Sequence, residues 1–171
     1  PKDFQSELVV TRHYVPKEFP FAFTNGVQGS YLEVDTATGI VTLLNHWVVE
    51  DCGTVINPQL VDEQIRGGVV QGIGGALYEE CLYSSEGQLL NGNMADYLVQ
   101  MAGEMPDIDV AHVESPTKDS ELGAKGAGEA GTAGAPGAIM NAINDALKPL
   151  DARVTRQPFT PERILTALGK V

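Results

Sequence analysis

The chain has 171 residues and a formal net charge of −12 at pH 7, because 11 Lys and Arg face 23 Asp and Glu. This length suffices for one domain with a buried core, and the negative charge disfavours nucleic acid as a partner. No apolar run reaches the roughly eighteen residues that span a bilayer, and the first ten residues lack a secretory pattern. We therefore expect one unit over residues 1–171, cytoplasmic and without a membrane span, and its start at Pro1 indicates a piece of a larger chain.

Residues that favour β-structure dominate the first third of the chain. ELVVTRHYVP (7–16) predicts a strand, and GSYLEVDTATGIVTLLNHWVVEDCG (29–53) predicts a long hairpin around the turn DTATG. From about Gln59 to Leu82 the apolar residues recur every four positions, which predicts a helix with one apolar stripe. The stripe consists of Val61, Ile65, Val69, Ile73 and Leu77.

The second half alternates turns, one strand and two helices. YSSEGQLLNG (83–92) predicts a hairpin around a turn, and DIDVAHVESP (107–116) contains a strand. TKDSELGAKGAGEAG (117–131) predicts a loop, with Pro136 in the first turn of the helix that follows. Thr160 is the predicted N-cap of a last helix. The pattern predicts an α+β fold, with mixed or antiparallel strands packed against helices in two layers.

The predicted helix over 59–82 is unusual because five glycines lie within it, each costing about 1 kcal/mol relative to Ala. At about 100° per residue, four of them share a face with two glutamines, opposite the apolar stripe. Either this face packs closely against another backbone, or it lies against a large polar cofactor that an amide can bind. The face consists of Gln64, Gly67, Gly68, Gln71, Gly74 and Gly75.

A second glycine-rich stretch, GAKGAGEAGTAGAPG (123–137), surrounds a lone acid, Glu129. Its G-x-G-x-x-G spacing does not indicate a dinucleotide site, since no buried strand precedes it and Glu129 would repel a pyrophosphate. Two interpretations remain open. The stretch is a flexible surface loop, or it is a buried loop that holds Glu129 as a general base beside a closely approaching substrate.

No other residues form a recognisable catalytic or metal site in the sequence. The histidines at 13, 46 and 112 lie on separate segments, so we interpret each as a strand or loop residue. Cys52 and Cys81 have no metal-ligand spacing. We therefore predict no protein ligands to a metal.

Several motifs, in their order, resemble the C-terminal part of the large subunit of the molybdenum hydroxylases, the xanthine dehydrogenase and aldehyde oxidase family. The chain looks most similar to the bacterial branch typified by the aerobic carbon monoxide dehydrogenase large subunit. The motifs are VVEDCGTVINPQLVDEQIRGGVVQGIGGALYEE (48–80), GQLLNGNMADYLV (87–99), HVESPT (112–117), GAKGAGEAGTAGAPGAIMNAINDAL (123–147) and TPERI (160–164).

The resemblance implies roles for particular residues. Glu129, the acid of the KGxGE segment, is the base that takes a proton at molybdenum, where metal coordination acidifies a hydroxyl. Gly126, Ala127 and Gly128 lie against the cofactor, and Gln64 hydrogen-bonds its pterin. The cofactor is molybdopterin, either as such or as its cytosine dinucleotide.

The resemblance also implies partners and a substrate class. The partners are the rest of the large subunit, an iron–sulfur subunit with 2Fe-2S clusters and an FAD-binding subunit. The substrate is a small molecule with an electron-poor carbon, an aldehyde or a heterocycle, or else carbon monoxide. Alone, this piece should be inactive.

The chain departs from the family pattern in one stretch. NMADY (93–97) stands where SFxDY is common, and Gln100 stands where proline is frequent. A non-catalytic interaction or assembly module that keeps the fold is the alternative, and it predicts no molybdenum in the native protein.

Overall fold

The computed structural model describes residue 3, residues 8–15 and residues 22–171. Within them, one three-stranded sheet packs against helices, which confirms the predicted α+β class. Two short 3-10 turns, Ala102–Glu104 and Lys148–Leu150, join the larger elements. The strands are β1 (Asn25–Val34), β2 (Val41–Asp51) and β3 (Ile108–His112), and the helices are α1 (Pro58–Leu77), α2 (Ala130–Leu147) and α3 (Pro161–Ala167).

The sheet is mixed, in the order β1-β2-β3. Strands β1 and β2 form the predicted antiparallel hairpin, with a register irregularity between Tyr31 and Leu32. Asp35 holds the turn, because its carboxylate accepts from the backbone N–H of Ala37 and the hydroxyl of Thr38, both at 2.8 Å. Strand β3 pairs with β2 in parallel. The long connection through α1 supplies the crossover that a parallel pair needs.

Helix α1 begins where the sequence predicts and ends earlier. Asn57 is its N-cap and accepts from the backbone N–H of Leu60 at 3.3 Å, with Pro58 in the first position. The helix ends at Leu77, five residues before the predicted end at Leu82. The apolar stripe is confirmed as the buried face, since Ile65, Val69 and Ile73 have no exposed surface.

Helix α2 begins at Ala130, so the prediction that Pro136 opens it was wrong. Six residues, Ala130–Ala135, precede the proline inside the helix. They are helical because they pack on α1: an added Cβ on Gly131 would meet the Ile65 carbonyl and the Val69 nitrogen. The free energy gained by this close packing exceeds two costs: the low helix propensity of Gly and Thr, and the backbone hydrogen bond that is lost because Pro136 has no N–H.

The remaining sequence predictions hold for the turn at 83–92 and for α3, but the strand predicted near the start of the chain is not formed in its described residues. Residues 8–15 contain no strand, and they are exposed without a neighbouring strand to pair with; residues 7 and 16 lie outside the described residues. The turn at 83–92 is confirmed, with Tyr83 bridging Leu89. Helix α3 follows Thr160, whose hydroxyl accepts from Arg163 N–H at 3.4 Å. None of the described helices is long and apolar enough to cross a membrane.

Candidate functional site

The glycine-rich loop at 123–129 is fastened along its first half to the end of β2. The backbone N–H of Lys125 donates to Cys52 at 2.7 Å, and the N–H of Thr54 donates to Gly123 at 3.1 Å. Further along, the N–H of Gly126 donates to the Ala22 carbonyl at 3.0 Å. These bonds to two separate segments give the loop a defined path, which a freely mobile surface loop would lack.

A buried ion pair reinforces the start of the loop. The ammonium of Lys125 donates to Asp51 Oδ2 at 3.0 Å, and both side chains are close to fully buried. Asp51 Oδ1 accepts from the backbone N–H groups of Gly53 at 3.0 Å and Ser115 at 3.1 Å. The Gly53 N–H and then Lys125 hold the pKa of Asp51 well below its ordinary value. The carboxylate is therefore charged at neutral pH and anchors the loop to β2.

The second half of the loop meets helix α1 through Gln64. Its Nε2 donates to the Gly128 carbonyl oxygen at 3.2 Å, so two predicted cofactor-binding positions, far apart in the sequence, are brought together. Gln64 is exposed on the face of α1 that carries glycines and glutamines, opposite the apolar stripe. Among the described residues no group donates to its Oε1, which leaves that oxygen available to a ligand.

Glu129 ends the loop and is the N-cap residue of α2. Its carboxylate does not cap the helix and has no hydrogen bond or ion pair within the described part of the chain. Gly126, Gly128 and Glu129 are exposed and Ala127 is half-buried, so of the two open interpretations burial fits the start of the loop at Gly123 and does not fit Glu129 in this chain taken alone. The physical reason is that few described groups bond to this part of the loop: Ala22 accepts from Gly126, and Gln64 donates to Gly128. Any desolvation of Glu129 must come from a group that covers the open side.

The open side of the loop is suited to a polar ligand. An added Cβ would meet nothing within 4 Å at Gly128 or at Gly67 on the neighbouring turn of α1. No acceptor among the described residues takes the backbone N–H groups of Ala127 and Gly128. The site thus offers backbone donors, the Gln64 amide and one carboxylate on a surface without bulky side chains. These groups fit a flat polar cofactor such as a pterin, held by hydrogen bonds.

The possible metal ligands near the site do not cluster in the described part of the chain. Within the described residues no group of three or more His, Cys, Asp or Glu could hold a metal ion. His112 instead pairs with Asp62, with Nε2 and Oδ1 2.6 Å apart.

Sequence reasoning missed a polar cluster beneath the first turn of α2. His46 has no exposed surface, and its ring contacts Ser30 and Gln28 of β1. Glu50 is also buried. These residues occupy inward positions on the hairpin, where apolar residues are expected. Spacing alone gives no clear signal for them, because apolar Val48 lies between His46 and Glu50 on the same face of β2.

Comparison with known proteins places the chain in a family. The model for a molybdopterin cofactor-binding domain matches residues 4–106. The large subunit of nicotine 6-hydroxylase from Paenarthrobacter nicotinovorans is 41% identical over 85% of the chain and 18% of its own length. The carbon monoxide dehydrogenase large chain of Afipia carboxidovorans is 27% identical over 96% of the chain and 20% of its own length.

A solved structure agrees in fold. Quinoline 2-oxidoreductase from Pseudomonas putida 86 superposes with a TM-score of 0.79 at 40% identity, over 82% of this chain and 18% of that one. The chain therefore spans about a fifth of the length of these relatives. The match to the family model ends before the loop at 123–129, so the roles of Glu129 and its neighbours stay predictions. The chain belongs to the molybdenum hydroxylases, as a molybdopterin cofactor-binding domain of their large subunits.

Proposed function

We propose that this chain binds molybdopterin with the face formed by α1 and the glycine loop, and supplies Glu129 as the base of an oxidative hydroxylation. The observation that carries the proposal is the hydrogen bond between Gln64 and Gly128. It brings the Gln64 amide to the loop beside the backbone N–H groups of Ala127 and Gly128, which no described residue accepts, and this supports a ligand site next to Glu129. The family match supports the identity of the cofactor, and the open surface supports its placement.

The residues that would hold the cofactor divide into donors and acceptors. The backbone N–H groups of Ala127 and Gly128 donate, and Gln64 Oε1 accepts while its Nε2 keeps the loop in place. Gly126 and Gly128 keep the surface free of side chains, so a large group can approach the backbone. When bound, molybdopterin would supply the two-electron oxidation that no protein side chain provides.

Glu129 would act as the proton acceptor. Its carboxylate is unpaired among the described residues, and it stands at the junction between the loop that contacts the cofactor and a helix buried in the core. A base must be both free to accept and fixed in position. Covering of the open side by cofactor and substrate would exclude water from the carboxylate, which favours proton transfer over solvation.

The wider enzyme would contain the rest of the large subunit, a subunit with 2Fe-2S clusters and an FAD-binding subunit. Oxidation at molybdenum requires an electron acceptor, and the 2Fe-2S clusters and FAD would fill that role. The outward face of the hairpin supports contact with further polypeptide, because apolar cross-strand neighbours are exposed there: Val27 is 75% exposed beside Val49 at 40%. The cytosine dinucleotide form of the cofactor belongs to the same proposal.

The substitution Glu129→Gln in the full-length protein tests the role of the base. It keeps the shape of the side chain and removes its ability to accept a proton, so we expect turnover to fall by about a hundredfold or more. Molybdenum content, measured by mass spectrometry of the purified protein, should not change. Glu121→Gln is the matched control, since Glu121 is an exposed acid near the start of the same loop.

Two results would contradict the proposal. Turnover retained in Glu129→Gln would remove Glu129 from the mechanism. Native full-length protein without molybdenum would instead favour a non-catalytic assembly module that keeps the fold.

A further inference from the structure

The inward face of the β1–β2 hairpin carries a connected set of polar side chains directly below the start of α2. Gln28 lies between them, and its amide contacts both the sheet and the helix. Its Oε1 is 3.1 Å from His46 Nε2, and its Nε2 is 2.9 Å from the Gly131 carbonyl oxygen. His46 Nδ1 is in turn 2.9 Å from the Ser30 hydroxyl.

The partners determine how each group is protonated. The Gly131 carbonyl can only accept, so the Gln28 NH2 group must face it and Gln28 Oε1 must face His46. An oxygen at that position requires His46 Nε2 to carry the hydrogen. His46 Nδ1 then accepts from Ser30 Oγ, and the ring is neutral. Burial lowers the pKa of His46 to about 4, which agrees with this neutral form.

Glu50 is the other titratable group that faces this cluster. Its Oε1 is 3.5 Å from Gln28 Nε2, its Oε2 has no partner among the described residues, and the side chain is only 2% exposed. Burial raises the pKa of Glu50. The Gln28 amide is thus committed to the helix, and the 3.5 Å approach to Glu50 is at the limit of a hydrogen bond.

The first turn of α2 is shaped to receive the Gln28 side chain. The Gln28 Nε2 also lies 3.4 Å from the Ala130 carbonyl oxygen, so it contacts the two residues that directly follow Glu129. An added Cβ on Gly134 would lie 2.8 Å from Gln28 Cδ and 3.0 Å from its Cγ and Nε2. The glycine at 134 therefore leaves the space that the amide occupies. This accounts for one of the glycines that follow Glu129.

We propose that Gln28, held by the neutral His46–Ser30 pair, is a positioning residue for Glu129. It fixes the carbonyl groups of the first turn of α2 relative to the sheet and so fixes the residue from which the base projects. This inference rests on the proposed role of Glu129, while the positioning itself is a property of this chain. Gln28 contacts the backbone carbonyl groups of the two residues after Glu129, and the Glu129 carboxylate itself has no hydrogen bond to the cluster among the described residues.

The first experiment replaces Gln28 with Met in the full-length protein. Met has a similar length and flexibility but neither donates to Gly131 nor accepts from His46. We expect faster hydrogen–deuterium exchange in the peptide 123–135, and kcat lower by about ten- to a hundredfold because the base is misplaced. KM and molybdenum content should stay within about twofold of wild type. Gln88→Leu, at an exposed glutamine in the turn at 83–92, is the control.

The second experiment displaces Gln28 without changing it. Gly134→Ala places a methyl group against the Gln28 amide, whereas Gly137→Ala, further along α2, meets nothing within 4 Å. Gly134→Ala should reproduce the faster exchange and lower kcat of Gln28→Met, and Gly137→Ala should not. In a Gln28→Ala background the methyl group has room, so adding Gly134→Ala should have no further effect.

The outcomes separate this inference from the proposed function. Unchanged exchange at 123–135 in both Gln28→Met and Gly134→Ala would overturn the positioning role. Equal losses of kcat and molybdenum content would also overturn it, since they indicate a general structural role. If Gln28→Met does not fold, the test is Gly134→Ala: faster exchange at 123–135 that is absent when the change is added to Gln28→Ala supports the positioning role, and unchanged exchange overturns it. If Glu129→Gln retains turnover, the proposed function fails while the exchange result still reports on Gln28.

Discussion

Two alanine substitutions in the same helix should change stability in opposite directions. In Gly131→Ala the new methyl group would overlap the Ile65 carbonyl oxygen and lie 2.7 Å from the Val69 nitrogen, both in the backbone of α1. In Gly137→Ala the methyl group would meet nothing within 4 Å and would be exposed. The two variants have the same chemistry and differ only in what the methyl group contacts.

The expected magnitudes follow from those surroundings. Replacing an exposed glycine in a helix with alanine stabilises the fold by about 1 kcal/mol. Forcing a methyl group into a closely packed contact costs about 2 kcal/mol, because two backbones cannot move aside as a flexible side chain can. The gain in helix propensity is common to both variants, so their free energies of unfolding should differ by the packing cost of about 2 kcal/mol, with Gly131→Ala below wild type and Gly137→Ala above it.

Urea unfolding followed by circular dichroism measures this difference. With an m-value of about 2 kcal/mol/M, the midpoints of the two variants should lie about 1 M apart, on either side of wild type. Equal midpoints, or a Gly131→Ala variant more stable than wild type, would refute the close packing of α1 and α2. They would also remove the explanation for the start of α2 at Ala130.

Other substitutions and conditions give further checks. Lys125→Met should leave Asp51 buried and charged without its cation, so unfolding should occur at lower urea concentration, whereas Lys118→Met, at an exposed lysine, should change the midpoint little. Gln64→Leu should lower the molybdenum content of the full-length protein, because both the loop contact and the free amide oxygen are lost. The pKa of His46 is lower in the folded chain than in the unfolded chain, so the unfolded chain binds a proton more readily. The free energy of unfolding should therefore fall as the pH drops from 6.5 towards 4, by at most about 1.4 kcal/mol per pH unit. The substitution His46→Gln should remove this pH dependence.

Periodicity and local turn chemistry predicted most of the fold. The hairpin, the buried stripe of α1, the short β3 and the capped α3 follow from patterns that act within a few residues. The start of α2 did not, because Gly131 is helical only through its contact with a backbone 66 residues earlier in the chain at Ile65. Helix propensity is a property of each residue by itself, so it cannot predict a contact between distant parts of the chain. The exposed strand-like residues at 8–15 show the converse, since β-forming residues without a partner strand do not make a strand.

For the candidate site too, sequence reasoning could not see contacts between residues that lie far apart in the chain. The resemblance selected Gln64 and Gly126 to Glu129, whose roles stay predictions, and the structure brings Gln64 and Gly128 into contact. The buried polar cluster around Gln28 could not be recognised from spacing. Its members lie on β1, β2 and α2, and only the register of the hairpin brings them together.

The bonds that shape the glycine loop have a consequence for how the protein folds. They join residues far apart in the chain: 64 positions separate Gln64 from Gly128, 74 separate Asp51 from Lys125, and 103 separate Gln28 from Gly131. Contacts at such separations form late, because the entropy of closing long loops must be overcome before they are made. The loop can therefore take its final path only after α2 has been synthesised and docked. On the proposed function, a cofactor would therefore bind this surface after folding and would not guide its early steps.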